Sequence, residues 1–190
     1  MDNVYQMFNS IAPNNLKNSR YCIIGPSNSG KTTLAHCLIG YDLRKHRKIT
    51  FLEGGKNILL DQLLPIYKKG NIEIERINLT ENNIKEKINE IEKYIDEQIN
   101  SKELLYQLFV IDDITHLMKE SSKLQSFLNK MYRTSRQSGY DIISILHSIK
   151  LGNTIMRKNC TKIFITSNQP EFIDEFKNTI KDTNSKHKVI

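Results

Sequence analysis

An eight-residue segment, GPSNSGKT at residues 25–32, has the residue types and spacing needed to hold a chain of phosphates. Its glycines, Gly25 and Gly30, let the backbone curl so that several N–H groups point inward at an anion. A helix that starts near Lys31 adds the positive end of its dipole, and the Lys31 side chain can reach the β- and γ-phosphates of a nucleotide. The segment therefore predicts a P-loop (Walker A motif) that binds ATP. The predicted nucleotide contacts are Gly25, Pro26, Ser27, Asn28, Ser29, Gly30, Lys31, Thr32 and Thr33.

Two acidic residues, Asp112 and Asp113, follow an apolar run at residues 108–111. In a parallel sheet this run would be a central strand that delivers both carboxylates to the edge where the P-loop lies. We predict that Asp112 holds Mg²⁺ together with Thr32, and that Asp113 orients or deprotonates the water that attacks ATP. The alternatives are structural. Asp112 and Asp113 could form a turn that caps the next helix, and residues 25–32 could form an ordinary glycine–serine turn beside a surface lysine. A second acid favours hydrolysis over phosphoryl transfer to a small molecule, and the lack of an N-K-x-D sequence argues against a GTPase.

Strand and helix patterns alternate along the whole chain. Short apolar runs predict six strands, at residues 21–24, 49–52, 72–77, 108–111, 141–146 and 162–166. Apolar residues at spacings of three and four predict helices at residues 31–39, 57–69, 84–99, 117–137 and 170–180. This alternation predicts an α/β fold of the RecA-like P-loop type, with a mostly parallel sheet and helices on both faces.

Length and composition are those of one globular domain. The chain has 190 residues, and we predict an ATPase domain at residues 21–181, an amino-terminal arm at 1–20 and a flexible basic tail at 182–190. The net charge of +7 reflects either a lysine-rich coding bias or a basic face for nucleic acid. Three dispersed cysteines argue against a zinc site and favour a reducing, cytosolic compartment. No run approaches the length of a membrane span.

The carboxyl-terminal half of the chain carries a more specific pattern. The sequence RTSRQSGYDIISILHSIKLGNTIMRKNCTKIFIT, at residues 133–166, resembles the region after the second motif of FtsK–HerA superfamily ATPases. Together with the I-D-D at residues 111–113, it is similar to the poxvirus-type viral genome-packaging ATPases. The resemblance covers about residues 21–167, and it implies the RecA-like fold already expected from the alternation of strands and helices.

The resemblance implies roles for individual residues. Arg136 matches the basic position that serves as an arginine finger on a neighbouring subunit, although an ordinary surface charge is the alternative and Arg133 or Arg157 could take the role. His147 stands where the family usually has glutamine, as a sensor of the γ-phosphate or the water, and a structural histidine is the alternative. Arg157 and Asn159 lie in a segment that resembles the family's Ile-Arg-x-Asn, which would meet the next subunit or DNA.

The resemblance also implies an activity and partners. It suggests an ATP- and Mg²⁺-dependent motor that translocates double-stranded DNA as a homo-oligomeric ring, a pentamer or hexamer, and packages a viral genome into its capsid. Capsid portal or vertex proteins would be further partners, and the protein would be located in the host cytoplasm or in the virion. A cellular or plasmid DNA translocase of the conjugation or segregation type is the first alternative. A P-loop kinase that acts on a small molecule is the second.

Overall fold

In the part of the chain that the structure describes, six strands form one parallel sheet. The computed structural model describes residues 19–42, 46–69, 72–101, 107–148 and 154–181, so the predicted tail and all but the last two residues of the predicted arm lie outside the described residues. The strands are β1 (Arg20–Ile24), β2 (Lys48–Glu53), β3 (Glu73–Asn78), β4 (Gln107–Asp112), β5 (Tyr140–Leu146) and β6 (Lys162–Ile165). Their order is β3-β2-β4-β5-β1-β6, and every neighbouring pair is parallel. The six predicted strands and the α/β fold are therefore confirmed.

Seven helices flank the sheet within the described residues. They are α1 (Lys31–Asp42), α2 (Ile58–Lys69), α3 (Ile84–Ser101), α4 (Thr115–Glu120), α5 (Ser122–Ser138), α6 (Thr154–Asn159) and α7 (Pro170–Lys181). The prediction of one helix at 117–137 is wrong, because Ser121 adopts an extended backbone and its hydroxyl accepts the Leu124 N–H at 3.2 Å to start α5. Helix α6 was not predicted. None of the described helices is both long enough and apolar enough to cross a membrane.

Side chains of the strands alternate between two apolar layers. On one face of the sheet, Ile23 of β1 and Val110 of β4 pack with helices α1 and α2. On the other face, Ile24 and Phe109 pack with α3, α5 and α7. Each fully buried aliphatic or aromatic side chain stabilises the fold by about 1.5–3 kcal/mol, so these two layers hold the strands firmly in place. The predicted arrangement of helices on both faces is confirmed.

The parallel sheet brings the carboxyl ends of its strands to one edge. The P-loop follows β1, Asp112 ends β4 and Asp113 comes directly after it, and His147 follows β5. Strand β5 lies between β1 and β4, with Leu146 in register with Ile24. Because neighbouring strands are about 4.8 Å apart, the three segments begin within about 10 Å of one another. This edge is where the predicted functional residues can meet.

Candidate active site

The loop between β1 and α1 bends through two residues with a left-handed backbone. Asn28 has a φ of 60° and Gly30 a φ of 84°, a region that glycine adopts freely and asparagine tolerates better than most residues. The Ser29 N–H donates to the Pro26 carbonyl oxygen at 3.3 Å, and the Leu34 N–H donates to the Gly30 carbonyl oxygen at 2.9 Å as α1 begins. The loop therefore has the curled backbone, followed by a helix amino terminus, that phosphate binding requires.

Gly25 lies where two hydroxyl side chains meet. Any side chain at this position would collide with the hydroxyls of Ser29 and Thr166. These hydroxyls are 2.6 Å apart, and Thr166 also donates to the Ile24 carbonyl oxygen at 3.3 Å. The P-loop is thus tied to the residue that follows β6. Sequence reasoning did not identify Thr166, whose only signal is its position at the end of a predicted strand.

The Lys31 side chain is buried inside the site. Its ammonium donates to the Pro26 carbonyl oxygen at 2.7 Å and lies 3.5 Å from His147 Nδ1. Burial lowers the pKa of Lys31, while the charges of Asp112 and Asp113 oppose that effect. The ammonium is therefore a buried cation between the loop and the acids, and the negative charge of a polyphosphate would compensate it.

Asp112 ends strand β4 and is the more buried of the two predicted acids. Asn57 Nδ2 donates to its Oδ2 at 3.2 Å. Burial, together with repulsion from Asp113 and Glu53, raises the pKa of Asp112 to about 6, and the Lys31 charge limits the rise. A carboxylate in these surroundings is poorly stabilised as an anion, so a nearby cation would favour it.

Asp113 has a left-handed backbone, with a φ of 54°, and an exposed side chain. Two glycines that follow β2 make room for it. A side chain at Gly54 would collide with the Asp113 carbonyl oxygen, and a Cβ at Gly55 would lie 2.5 Å from Asp113 Oδ2. The Gly54 N–H donates to the Asp112 carbonyl oxygen at 3.0 Å, which joins the two segments. Because a non-glycine residue in this region is strained by on the order of 1 kcal/mol or more, the surrounding structure must hold Asp113 in place.

His147 follows β5 and lies beside the P-loop, where the Gly25 N–H donates to the Leu146 carbonyl oxygen at 3.2 Å. Its Nδ1 is 3.5 Å from the Lys31 ammonium, and its Nε2 is 3.6 Å from Asp113 Oδ1. Both distances exceed those of ordinary hydrogen bonds. Because an ammonium can only donate, the tautomer that suits this arrangement has Nδ1 as the acceptor toward Lys31 and the hydrogen on Nε2. The ring therefore presents a donor between Lys31 and Asp113.

Sequence reasoning also missed Glu53, the last residue of β2. Its side chain is only 3% exposed. The Arg76 Nε donates to its Oε2 at 2.7 Å, and Arg76 also pairs with Asp61. Burial raises the pKa of Glu53, and Arg76 and the nearby Asn57 amide oppose the rise. The amide hydrogen bond of Asn57 nevertheless goes to Asp112, and Oε1 of Glu53 has no hydrogen-bond partner among the described residues.

These groups surround a pocket of about 400 Å³ at the carboxyl edge of the sheet. It is lined by Ser27, Asn28, Lys31, Thr32, Glu53, Gly55, Lys56, Asn57, Ile58, Leu59, Asp112, Asp113 and His147. Five of the side chains with predicted chemical roles, on Lys31, Thr32, Asp112, Asp113 and His147, therefore face one space. The remaining predicted loop residues form the loop itself, and Thr33 is exposed on α1. A pocket with two lysines and three acids around a P-loop suits a phosphate ester with its metal.

Magnesium is the metal that the predicted chemistry requires, and the pocket offers oxygen donors for it. Thr32 and Asp112 line the pocket together, and Glu53 adds another buried carboxylate. Mg²⁺ typically binds through one or two carboxylates, with waters and substrate phosphates completing its shell. In the described ranges, no three or more His, Cys, Asp or Glu side chains are arranged to hold a metal by themselves. The donor set therefore fits a Mg²⁺ that shares its ligands with a nucleotide.

Arg136 lies at the opposite edge of the sheet from this pocket. It is exposed in the last turn of α5, just before Gly139, whose φ of 73° ends the helix ahead of β5. The seven residues of β5 separate that end from His147, and at about 3.3 Å per residue they span roughly 23 Å. This distance far exceeds the length of an arginine side chain. Arg133 is exposed on the same helix, and the Arg157 side chain lies outside the described residues.

Several solved structures share this fold. The pCW3 conjugation coupling protein TcpA with ATPγS matches with a TM-score of 0.58 and 16% identity, over 78% of this chain and 49% of that one. ATPases 2 and 3 of Thermomonospora curvata EccC match with a TM-score of 0.62 and 12% identity, over 80% and 32%. The genome packaging NTPase B204 of Sulfolobus turreted icosahedral virus 2, in complex with AMP, matches with 0.52 and 16%, over 87% and 83%. Identities this low show a common fold alone, and the chain spans half or less of the TcpA and EccC structures.

Sequence comparison identifies the family. No curated protein matches the sequence of the chain. The family described as poxvirus A32 protein matches residues 9–190, which is nearly the whole length. The resemblance to poxvirus-type packaging ATPases, predicted from residues 111–113 and 133–166, is confirmed by this match. The chain therefore belongs to the poxvirus A32 protein family.

Proposed function

We propose that this protein is an ATP-hydrolysing motor that translocates double-stranded DNA and packages a viral genome into its capsid. The observation that carries the proposal is the pocket in which Lys31, Thr32, Asp112 and Asp113 meet beside a P-loop. Membership of the poxvirus A32 protein family supports the viral role. The fold shared with the genome packaging NTPase B204 is consistent with it.

ATP binding would use the loop and its lysine. The backbone N–H groups of residues 25–32 and the Lys31 ammonium would hold the β- and γ-phosphates, displacing the contact of Lys31 with the Pro26 carbonyl oxygen. Thr32 and Asp112 would hold Mg²⁺. When bound, the metal supplies positive charge that offsets the negative charge of the phosphates.

Hydrolysis would use the second acid and the histidine. Asp113 would accept a hydrogen bond from water and so aim the water oxygen at the γ-phosphorus. His147 Nε2–H, which lies 3.6 Å from Asp113 Oδ1, would donate to the γ-phosphate or to the same water. A neutral imidazole is required for this arrangement, because Nδ1 faces the Lys31 ammonium at 3.5 Å.

Arg136 would complete the site of a neighbouring subunit in a homo-oligomeric ring. Its location at the edge of the sheet opposite its own pocket supports action in trans, since no arginine could span that distance. A guanidinium is permanently charged and forked, which suits it to the charge spread over a transferring phosphoryl group. Arg133 and Arg157 are the other candidates for the finger.

The proposed polymer substrate is double-stranded DNA. A net charge of +7 and a pI of about 9.2 favour a polyanion, and a motor must grip phosphates without reading the sequence. Arg157 and Asn159, in α6, are proposed to meet DNA or the next subunit. The motor would bind capsid portal or vertex proteins, in the host cytoplasm or the virion. A DNA translocase of the conjugation type is the second candidate, favoured by the fold shared with the coupling protein TcpA.

The test compares ATP turnover with Mg²⁺ alone, with added double-stranded DNA and with small phosphate acceptors. We expect DNA of any sequence to stimulate turnover, and DNA affinity to fall by about a thousandfold or more between about 50 and 200 mM salt if six or more phosphates are gripped. The Lys31→Ala variant, checked by circular dichroism to be folded, should not hydrolyse ATP. Full turnover in this variant would refute the P-loop assignment. Turnover that needs a phosphate acceptor and ignores DNA would indicate a kinase instead.

A further inference from the structure

We infer that Glu53 is a third acid of the hydrolysis site, whose free oxygen holds the attacking water together with Asp113. The inference rests on the proposed function, because it concerns ATP hydrolysis in the same pocket. It is carried by a carboxylate that is buried at the site and has one oxygen unused.

The strand pairing puts Glu53 at the level of the metal-binding acid. Glu53 ends β2 and pairs in parallel register with Asp112, at the end of β4. Glu53 therefore lies at the same level along the sheet as Asp112, about 4.8 Å from it and one strand farther from β1. Glu53 lines the pocket with Lys31 and Asp113. The next residue, Gly54, donates its N–H to the Asp112 carbonyl oxygen at 3.0 Å and leaves room for Asp113. The segments that carry Glu53 and Asp113 are therefore packed directly against each other.

The two oxygens of Glu53 differ in their surroundings. Oε2 accepts a hydrogen bond from the Arg76 Nε at 2.7 Å. Oε1 is buried and, in the described part of the chain, accepts no hydrogen bond. Leaving a buried acceptor unsatisfied costs about 1–3 kcal/mol, and more when the group is charged. A rotation of the carboxylate toward the adjoining pocket would let a water molecule donate to this oxygen.

Arg76 is a positioning residue for this acid. It holds Oε2 of Glu53 and pairs with Asp61 at the same time, so that its guanidinium bridges β2 and α2 from the outermost strand, β3. Its contact with Glu53 is a single charged hydrogen bond from Nε to Oε2, which fixes the position of that oxygen. With Oε2 held from the side of β3, Oε1 is the oxygen left without a donor among the described residues.

An ion pair that only stabilises the sheet does not need this burial. At the other end of the same two strands, Lys48 bridges Glu73 at 3.2 Å and Glu75 at 3.0 Å, and the two glutamate side chains are 67% and 43% exposed. Exposed pairs of that kind contribute up to about 1 kcal/mol without the expense of removing a charge from water. Glu53 is 3% exposed, in the wall of the pocket. Its desolvation is better explained by a role in the chemistry.

The proposed step uses both hydrogens of one water molecule. One O–H donates to Asp113 and the other to Glu53 Oε1, which leaves an oxygen lone pair to face the γ-phosphorus. The water oxygen forms a bond to phosphorus as the bond between phosphorus and the bridging oxygen of ADP breaks, and the electron pair of the broken bond stays on ADP. One water proton passes to a carboxylate and is then released to the phosphate product or to solvent.

The experiment compares Glu53→Gln with Glu75→Gln, the same substitution at the exposed ion pair of the same strands. In Glu53→Gln the amide oxygen can still accept the hydrogen bond from Arg76, but an NH2 group, which donates, replaces the oxygen that would accept from the water. Arg76 keeps its ion pair with Asp61. We expect Glu53→Gln to bind a fluorescent ATP analogue with Mg²⁺ within about threefold of wild type, yet to turn over at least about tenfold more slowly. Glu75→Gln should match wild type in both measurements.

A double-mutant cycle with Asp113→Asn tests whether the two acids share one water. If they do, the fold-reduction in turnover of the double variant should be clearly smaller than the product of the two single reductions. The reason is that either single change already disturbs the one water that both acids hold. Losses that multiply, or turnover in Glu53→Gln equal to that of Glu75→Gln, would overturn the inference. If Glu53→Gln does not fold, Glu53→Asp keeps the charge and withdraws the oxygens by one methylene, and it should bind ATP but hydrolyse slowly. Failure of both variants to fold would make Glu53 a structural residue and would likewise refute it.

The outcomes separate this inference from the proposed function. Wild-type and Glu75→Gln proteins that hydrolyse no ATP, with or without DNA, would contradict the proposed function itself. Wild-type turnover that survives in Glu53→Gln would contradict the role of Glu53 and leave the ATPase assignment standing.

Discussion

The surroundings of Asp112 predict that removing its charge stabilises the metal-free protein. Burial, together with repulsion from Asp113 and Glu53, raises the pKa of Asp112 from 3.8 to about 6. The unfolded chain therefore loses the Asp112 proton near pH 3.8, whereas the folded chain keeps it until about pH 6. Between these values the folded protein binds more protons, so the free energy of unfolding falls as the pH rises through this window. At neutral pH the whole penalty of the ionised carboxylate is present.

The magnitude follows from the same two pKa values. Linkage gives on the order of 3 kcal/mol at about pH 7.5 and on the order of 1 kcal/mol at about pH 4.5. The Asp112→Asn variant keeps the shape of the side chain and an oxygen for the Asn57 amide, which lies 3.2 Å from Asp112 Oδ2. We therefore expect Asp112→Asn to exceed wild type in free energy of unfolding by about these amounts. A gain this large from one polar substitution would be unusual for a natural protein.

Urea unfolding of nucleotide-free protein in the presence of a chelator measures this difference. Asp174→Asn is the matched control, since Asp174 forms an exposed pair with Lys177 at 3.5 Å, and its loss should change stability by less than about 0.5 kcal/mol. An Asp112→Asn variant that is no more stable than wild type at about pH 7.5 would refute the electrostatic reasoning. A gain that is the same at both pH values would refute it too, because it would come from packing and not from charge.

The same substitution should have the opposite effect on ligand binding. A ligand present at 100 times its Kd stabilises the folded state by about 2.7 kcal/mol. Wild type should gain such stability from ATP with Mg²⁺, and Asp112→Asn should lose the part that depends on Mg²⁺. Asp112 would then be retained at a cost in stability because it holds the metal, a trade that is common at functional sites.

Two further predictions concern the position of Asp113 and the source of the arginine. Gly55→Ala places a Cβ 2.5 Å from Asp113 Oδ2, so turnover should fall by about tenfold or more while ATP binding stays within about threefold of wild type. Gly40→Ala is the control, because a Cβ at this position of α1 meets nothing within 4 Å. Equal activity in the two variants would contradict the positioning of Asp113 by Gly55. Arg136→Ala should bind ATP and assemble but hydrolyse ATP poorly. Rings that mix Arg136→Ala with Lys31→Ala subunits should recover part of the lost activity, since each subunit supplies what the other lacks. If rings shown to contain both variants recover no activity, Arg136 is not a finger that acts in trans.

Most of the fold could be predicted because its signals are local. Strands of a parallel sheet are buried on both faces, so they appear as short continuous apolar runs such as residues 21–24 and 108–111. The P-loop is equally local, since glycine, lysine and threonine must follow one another at fixed spacing. The division between α4 and α5 was missed because apolar residues continue at helical spacing across it. The junction is marked by the extended backbone of Ser121 and by the hydrogen bond from the Leu124 N–H to its hydroxyl, which composition does not reveal.

Glu53 and Thr166 were missed for a different reason. A single glutamate at the end of a strand belongs to no motif, and what distinguishes Glu53 is its burial against Arg76, on a neighbouring strand. Thr166 likewise becomes part of the site only because β6 pairs with β1 and brings its hydroxyl to 2.6 Å from Ser29. These relationships arise from strand order, which the alternation of strands and helices does not determine.

The charges around the pocket explain why metal and nucleotide should arrive together. Glu53, Asp112 and Asp113 present three carboxylates to a space that also holds Lys31, while Arg76 is already shared between Glu53 and Asp61. A triphosphate without metal would meet these acids in surroundings where burial weakens screening, and the repulsion would oppose its binding. A divalent cation placed between the phosphates and Asp112 changes that balance, because it attracts both. In the proposed function, the same acids that make an empty site unfavourable would therefore make it selective for a nucleotide that carries its metal.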